Sequence, residues 1–418
     1  MTTGTSPIGN LPAELFDLVA AHLDLLAFKN LRICSRRLHL LSLAPFAKRH
    51  FARLTTTLGS ASLDRLVQIA SHHHFSPAVT TLHVRFLYYT DYCDLESITR
   101  LGIYPPPKRF AVALMPGISS RNIPSESTLY KDICGDSYPQ CIVDRLVCAL
   151  EGFPNIKTMK FYTRLHHRGD DQGPCDRDDI FRMRCFQAVI TAIARSNIEL
   201  RELSISKGSR KRPFYRCLRL PCTALCLPPG TLQALKPRLC KLTSLTLSID
   251  SSYLASSHKR DWELTLTNLL ASTPLVKNLA LSLDYINNLT QYGADMMHSL
   301  ALSCRLMVLS SFVLSNCTTY ESDLTTFFAA QASSVSQLEM VDVRLCSGSW
   351  RSVLIVCKSL ERLEQLRLAT LKGPPHDQYL TLSHRCNNSL KVTLDVRKGS
   401  RRMSERIDDL IGALYWEI

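Results

Sequence analysis

Eight times between Val79 and Leu368 the chain sets apolar residues at the first, fourth and sixth places of a six-residue run. The runs are Val79-x-x-Leu82-x-Val84, Ile156-x-x-Met159-x-Phe161, Leu200-x-x-Leu203-x-Ile205 and Leu242-x-x-Leu245-x-Leu247, followed by Val276-x-x-Leu279-x-Leu281, Leu309-x-x-Phe312-x-Leu314, Leu338-x-x-Val341-x-Val343 and Leu363-x-x-Leu366-x-Leu368. Within each run the last two apolar places are two residues apart, the strand period. Between runs lie segments with helical period: Cys141–Gly152, Asp178–Ser196, Lys259–Ser272, Ala294–Cys304, Ser322–Ala332 and Ser349–Ser359. Gly152-Phe153-Pro154 and Ser272-Thr273-Pro274 both put a proline where a helix must end before the next strand. Strand, helix, strand at this spacing predicts parallel strands joined by right-handed crossovers, an α/β architecture. An irregular last strand is expected over Leu390–Val396.

The starts of the runs are 77, 44, 42, 34, 33, 29 and 25 residues apart, so the unit shortens toward the C-terminus. The excess length falls in three expected insertions near 88–138, 163–177 and 207–230, the first of them rich in proline and read as an irregular excursion on the rim. Side chains between the inward positions should line one open face of the sheet. They read Glu202, Ser204, Ser206; Ser244, Thr246, Ser248; Asn278, Ala280, Ser282; Ser311, Val313, Ser315; Met340, Asp342, Arg344; and Gln365, Arg367, Ala369. The middle is small and hydroxylic and the charges gather near the C-terminal end. Asp342, Arg344 and Arg367 are therefore the candidate residues for orienting a bound segment.

Ahead of these runs, Asn10–Leu41 (NLPAELFDLVAAHLDLLAFKNLRICSRRLHLL) reads as three short helices. Pro12 stands in a first turn, where a missing amide costs nothing, and Glu14 adds an acid beside the positive helix end. Apolar residues recur at Leu11, Leu15, Leu18 and Val19, then at Phe28, Leu31, Cys34 and Leu38, and Asp24 suits a tight turn between the two sets. A unit this small buries too little surface to stand alone, so it should lean on another part of the chain or on a partner. Helical character is expected to continue over Ala44–Leu54, with a further amphipathic helix at Leu63–Ala70 and a polar helix end at His72-His73-His74.

The segment resembles an F-box, the motif that docks substrate receptors onto the Skp-type adaptor of cullin–RING ubiquitin ligases. The resemblance rests on Leu11-Pro12, Glu14-Leu15-Phe16, Val19, Leu23-Asp24, Phe28, Leu31, Ile33 and the closing Cys34-Ser35-Arg36-Arg37-Leu38. Ala27, Cys34 and Leu38 depart from the family pattern, where an acid, Val and Trp are common. The runs that follow resemble degenerate leucine-rich repeats, as in F-box proteins of the fungal type. Together the two resemblances imply an F-box at 1–54, a helical linker at 55–78 and an irregular leucine-rich-repeat solenoid at 79–418. They also imply a receptor subunit of an SCF (Skp–cullin–F-box) complex. Leu11, Pro12, Leu15, Val19, Phe28, Leu31 and Leu38 would meet the Skp-type adaptor, and the repeat domain would hold a protein target.

Composition narrows the alternatives. With 45% hydrophobic and 21% charged residues the chain is globular, and no apolar run approaches the ~18 residues of a membrane helix. The first ten residues lack the pattern of a signal peptide, and the sixteen cysteines are scattered singly, as at Cys148, Cys185, Cys304 and Cys357. That usage suits small buried hydrophobes in a reducing compartment, here the cytoplasm and/or nucleus. The net charge of +14 keeps a basic nucleic-acid binder open, yet the lysines and arginines cluster only at 207–216 and 397–406, with no nucleic-acid module. A non-degradative interaction scaffold stays open as well. Cys217, Cys222 and Cys226 lack zinc-ribbon spacing, and His166, His167, Asp170, Asp171 and Cys175 read as a polar loop. No phosphate loop, dinucleotide fingerprint or nucleophile–base pairing is present, so no cofactor, metal or catalysis is expected.

Overall fold

The structure is a computed structural model that describes residues 8, 11–87, 89–101, 123–135, 140–163, 176–205, 220–250, 262–284, 291–374, 378–382, 391–396 and 402–416. It begins with three helices, α1 (Ala13–Ala21), α2 (Leu25–Cys34) and α3 (Arg36–His50). Pro12 sits at the N-cap of α1, one place before the first turn, and offers its carbonyl to the Phe16 amide at 2.9 Å. Asp24 does more than fill a turn: its carboxylate accepts from the Ala27 amide at 2.7 Å and caps α2. Ser35 caps α3 in the same way through Leu38 N–H at 3.2 Å. The Arg49 guanidinium of α3 donates to the Ala20, Ala21 and Leu23 carbonyls, closing the C-terminal end of α1. Phe16, Ala20, Phe28, Leu38 and Phe46 form a small core separate from the main one.

From residue 53 onward the chain is a mixed α/β body built on one mostly parallel sheet. Its strands are β1 (Arg53–Thr56), β2 (Thr81–Phe86), β3 (Thr158–Thr163), β4 (Glu202–Ile205), β5 (Leu220–Pro221), β6 (Ser244–Asp250), β7 (Asn278–Asp284), β8 (Ser311–Thr319), β9 (Gln337–Leu345) and β10 (Gln365–Ala369). Except for the short β5, which pairs with β6 alone, these strands lie side by side in chain order and parallel. Sequential order with one crossover hand puts every connecting helix on the same side of the sheet. Those helices are α4 (Ser60–Ala70), α5 (Tyr89–Leu101), α6 (Ile123–Cys134), α7 (Gln140–Glu151), α8 (Asp176–Arg195), α9 (Pro229–Leu239), α10 (Trp262–Ala271), α11 (Gln291–Ser303), α12 (Glu321–Ala330) and α13 (Trp350–Lys358).

The register shows why the sheet holds. Leu54, Leu82, Met159, Leu203, Leu245, Leu279, Phe312, Leu338 and Leu366 stand opposite one another in a single row, and all of them are buried. At the start of each strand two successive amides converge on one carbonyl of the preceding unit. Thr80 and Thr81 donate to Ala52, Lys157 and Thr158 to Thr80, Arg201 and Glu202 to Lys157, and the pattern runs on to Glu364 and Gln365 on Ser336. Each unit is thus tied to its neighbour by the backbone before any side chain contributes.

Five expectations need correction. The segment 55–78 is no linker: β1 and α4 are the first strand–helix unit, with Leu54, Leu58, Leu63 and Leu66 in the main core. Phe51-x-x-Leu54-x-Thr56 carries the pattern with a buried threonine in its sixth place, so helical character ends at His50. The seventh run is Val335-x-x-Leu338-x-Met340, three residues earlier than the frame read from sequence; Leu338 faces Phe312 and Met340 faces Leu314. The slip arises at Asp342, whose φ of +55° breaks the alternation so that Met340 and Val343 both point inward. The region 88–138 is not an irregular excursion where it is described. Tyr92 of α5, Tyr130 of α6 and Phe181 of α8 pack with ring centroids 5.0–5.4 Å apart, Tyr130 stacked on Phe181 and Tyr92 edge-on to it, and Leu95, Ile123 and Ile133 are buried. Last, the C-terminus adds antiparallel pairings: β13 (Lys391–Asp395) runs against β10, while β11 (Lys372–Gly373), itself parallel to β9, pairs antiparallel with β12 (Gln378–Leu382), and β12 with β14 (Leu414–Trp416), which follows helix α14 (Met403–Ala413).

Candidate interaction surfaces

Two surfaces stand out, one on each part. The first is on the three helices. Among the described residues, seven of the fifteen exposed large hydrophobic side chains fall between residues 15 and 40: Leu15, Leu18, Val19, Leu25, Leu26, Ile33 and Leu40. Leu15, Leu18 and Val19 share one face of α1, at i, i+3 and i+4, and Leu26 and Ile33 share one face of α2 two turns apart. Leu18 is 65% exposed and Ile33 83%, whereas Phe16, one residue from Leu15, is fully buried. So many exposed apolar side chains in a unit this small make it a candidate interaction surface.

The set expected to meet an adaptor divides accordingly. Pro12, Leu15 and Val19 are exposed; Leu11 and Leu31 are half-buried against the small core. Phe28 and Leu38 are not available to a partner, because they are that core, with Phe28 packed on Phe46 at 5.5 Å. Helical period alone missed Leu18, Leu25, Leu26, Ile33 and Leu40 as surface residues, since in this unit both helix faces are apolar.

The second surface is the sheet face away from the helices. The described side chains of β1–β4 on that face are Arg53, Thr55; Thr81, His83, Arg85; Thr158, Lys160, Tyr162; and Glu202, Ser204, with Ser206 outside the described residues. Lys160 holds Glu202 at 2.6 Å, and His83 meets Tyr162 edge-on at 5.6 Å. Burial, then the nearby Lys160 and Arg53 charges, lowers the His83 pKa, with Glu202 opposing. Toward the C-terminus the open positions become Gln337, Glu339 and Val341 of β9, then Gln365, Arg367 and Ala369 of β10.

This alters the expected substrate set. Arg367 lies on the open face and pairs with Glu339 at 2.9 Å. Asp342 sits beyond it, at the left-handed turn of the strand, and reaches Lys372 Nζ at 3.6 Å. Arg344 stands opposite Lys372. Met340, expected on the open face, points inward. Asp342 and Arg344 thus both lie at Lys372 while Arg367 is held by Glu339, and a second group of charges stands at the opposite end, on β1–β4. Of the small middle, Thr246 and Ala280 are half-buried while Ser248, Ser282 and Ser315 are buried.

Asn316, Asp342 and Thr370 adopt φ of +51°, +55° and +54° and stand side by side on three neighbouring strands. The Asn316 amide donates to Ser282 Oγ at 3.2 Å. Three non-glycine residues in this region are held only because the ladder on either side fixes them.

The cysteines divide. Cys185, Cys304 and Cys357 are buried, and burial raises the Cys304 and Cys357 thiols to about 11 and about 12. Cys148 is exposed, contrary to expectation. Cys222 is buried with its pKa raised to about 12, Cys226 is half-buried, and Cys217 lies outside the described residues, as do His166, His167, Asp170, Asp171 and Cys175 and the basic stretch 207–216. Among the described residues no three His, Cys, Asp or Glu side chains are grouped as a metal site. His72, His73 and His74 follow α4, and His72 stacks on Phe75 at 4.1 Å. A cavity of about 510 Å³ opens between the helix-to-strand turns of β3 and β4, where Lys241 and Glu199 pair at 2.6 Å. No described helix is long and apolar enough to cross a membrane. No protein-family model matches the chain, and no curated protein matches it.

Proposed function

We propose that the chain is the substrate-recognition adaptor of an SCF-type ubiquitin ligase, a non-catalytic receptor acting in the cytoplasm and/or nucleus. The three-helix unit is read as an F-box that docks on a Skp-type adaptor, and the sheet body as a degenerate leucine-rich-repeat domain that holds the target. The observation that carries the reading is the contrast inside the unit: Phe16, Phe28, Leu38 and Phe46 close a core while Leu15, Leu18, Val19, Leu25 and Leu26 face outward. A fully buried aliphatic side chain contributes about 1.5–3 kcal/mol, so covering half of these five returns roughly 4–8 kcal/mol. That is comparable with the ~4–15 kcal/mol cost of association.

The two parts are coupled through aromatic rings. Phe51 stacks on Phe75 at 4.3 Å with planes 4° apart, and Phe46 of the small core lies 5.9 Å from Phe51. A docked adaptor would therefore hold the sheet in a fixed pose, which a receptor needs in order to present its target.

The test is co-purification of a Skp-type adaptor with the full chain. Leu15→Glu with Leu18→Glu should abolish capture and leave the thermal midpoint unchanged; capture that persists in this variant would reject the docking face. Adaptor-dependent turnover of a bound protein then distinguishes a ligase receptor from a non-degradative scaffold.

A further inference from the structure

The open face of the sheet is electrically uneven. On β1–β4 the described open positions carry Arg53, Arg85 and Lys160 against the single carboxylate of Glu202, with His83 among them. On β8–β10 the corresponding positions balance, Arg344 and Arg367 standing against Glu339 and Asp342, with Arg367 and Glu339 paired and Asp342 reaching Lys372. Between them β6 and β7 offer Ser244, Thr246, Asn278 and Ala280, which carry no charge, with the Asp250 carboxyl buried at the end of β6. Arg53 is exposed and has no carboxylate within ion-pair distance among the described residues. Among the described residues Lys160 pairs with Glu202 alone, which also accepts from Thr158 Oγ1 at 3.4 Å.

Glu202 therefore behaves as an internal stand-in for an anionic ligand: a carboxylate beside the lysine, on a half-buried floor. The field of this patch is registered by His83, whose imidazolium is opposed by both Lys160 and Arg53. Neighbouring strands are ~4.8 Å apart and residues rise ~3.4 Å, so Arg53 on β1 and Lys160 on β3, two strands and two residues apart in register, are separated by about 12 Å across the floor.

We propose that the β1–β4 end of the open face is a docking surface for an acidic protein segment, two carboxylates of which meet Arg53 and Lys160 as the segment crosses the strands past His83 and Tyr162. A nucleic acid fits less well. Its affinity comes from roughly 6–10 phosphate contacts, and this floor offers two accessible cations beside one buried arginine. The proposal rests on reading the sheet body as the receiving part of the protein, and is independent of what the three helices bind.

The experiment uses the full chain and a fluorescein-labelled ten-residue polyglutamate probe, followed by anisotropy at 50 mM and 200 mM salt, with the thymidine oligonucleotide dT20 as competitor. Binding is expected at low salt and weaker at high salt. Arg53→Gln with Lys160→Gln should weaken it about tenfold, and Arg367→Gln less than about twofold. Glu202→Gln should tighten it severalfold by removing the internal competitor, a gain that misfolding cannot produce. Bound probe should raise the His83 pKa, read from ring carbon shifts. No binding at low salt, equal loss in the Arg367 variant, or tighter retention of dT20 than of the peptide would overturn the proposal. Leu15→Glu/Leu18→Glu should keep full probe affinity, so loss of adaptor capture alone counts against the F-box reading, and loss of probe binding alone against this one.

Discussion

The three-helix unit buries Phe16, Phe28, Leu38 and Phe46 and leaves Leu15, Leu18, Val19, Leu25, Leu26, Ile33 and Leu40 outside. The sheet body does the reverse: its inward row from Leu54 to Leu366 is buried throughout, and its open face is polar. The difference teaches where each part obtains its stability. The sheet body satisfies its own apolar surface by adding units. Fifteen-residue α3 and its two shorter partners cannot, so the unit holds together by caps, the Arg49 clamp and a five-residue core, and leaves apolar area exposed.

The comparison breaks most visibly at the core. Phe312 is buried and packs on Phe327 at 4.9 Å and Phe328 at 6.2 Å. Phe312→Ala should cost about 3–5 kcal/mol and melt the sheet body early in a denaturant titration. Leu18→Glu, on the three helices, should move stability by no more than ~0.5 kcal/mol, since it changes a solvated site. If Leu18→Glu destabilises as Phe312→Ala does, then Leu18 is covered by the chain itself and the docking face is lost as an idea.

The junction comes next. Phe51 packs against both cores and stacks on Phe75. Because it is only half-buried, Phe51→Ala should cost roughly 2 kcal/mol, about half of a fully buried phenylalanine. It should also split one calorimetric transition into two, the small unit melting first. A single unchanged transition would show that other contacts join the two parts.

These same residues show what could be read from sequence. The 1-4-6 runs were legible because parallel strands buried on one face demand an apolar residue at fixed places, and β2, β3, β4, β6, β7, β8 and β10 obey. The frame at β9 was ambiguous because Leu338, Met340, Val341 and Val343 are all apolar, and nothing in the composition announces the left-handed Asp342 that decides between them. The first unit hid behind Thr56, a hydroxyl in an inward place. The docking face was half legible: period finds a helix and its apolar faces, but only packing tells Phe28, which goes inside, from Leu26, which does not. The β1–β4 charges were overlooked because the open-face reading began at Glu202, one strand after Lys160.

Acidity gives a weaker handle, with a sign that follows from burial. His50 in the three-helix unit and His83 on the sheet both bind protons less readily in the folded state; for each, burial is the first cause, followed by Arg49 and Lys29 at His50 and by Lys160 and Arg53 at His83. Above pH ~6.5 both are neutral in either state and contribute no pH dependence. Below it the unfolded chain takes up protons that the folded chain resists, so stability falls as the pH falls through that value. The melting temperature should drop between pH 7.5 and 5.5. His50→Gln should flatten the slope for the small unit alone, and His83→Gln that for the sheet alone. A melting temperature that rises on acidification would contradict both environments.

The smallest expected effect is at the quiet end of the open face. Arg367 and Glu339 stand opposite one another on β10 and β9, 2.9 Å apart, with 45% and 28% of their side chains exposed. Water screens a pair this open, and ordering two long side chains offsets much of the attraction, so Arg367→Met should cost ~0–1 kcal/mol. Its partner then remains as a partly solvated carboxylate, which adds little. At the other end the Lys160–Glu202 pair is similarly exposed, yet there Lys160→Met leaves Glu202 acting on His83, whose pKa should rise as one opposing cation goes. A double-mutant cycle on each pair, read with the His83 titration, tests whether the two ends differ in function or only in composition. A coupling above about 2 kcal/mol at Arg367–Glu339 would mean that this pair, and not the basic end, organises the open face.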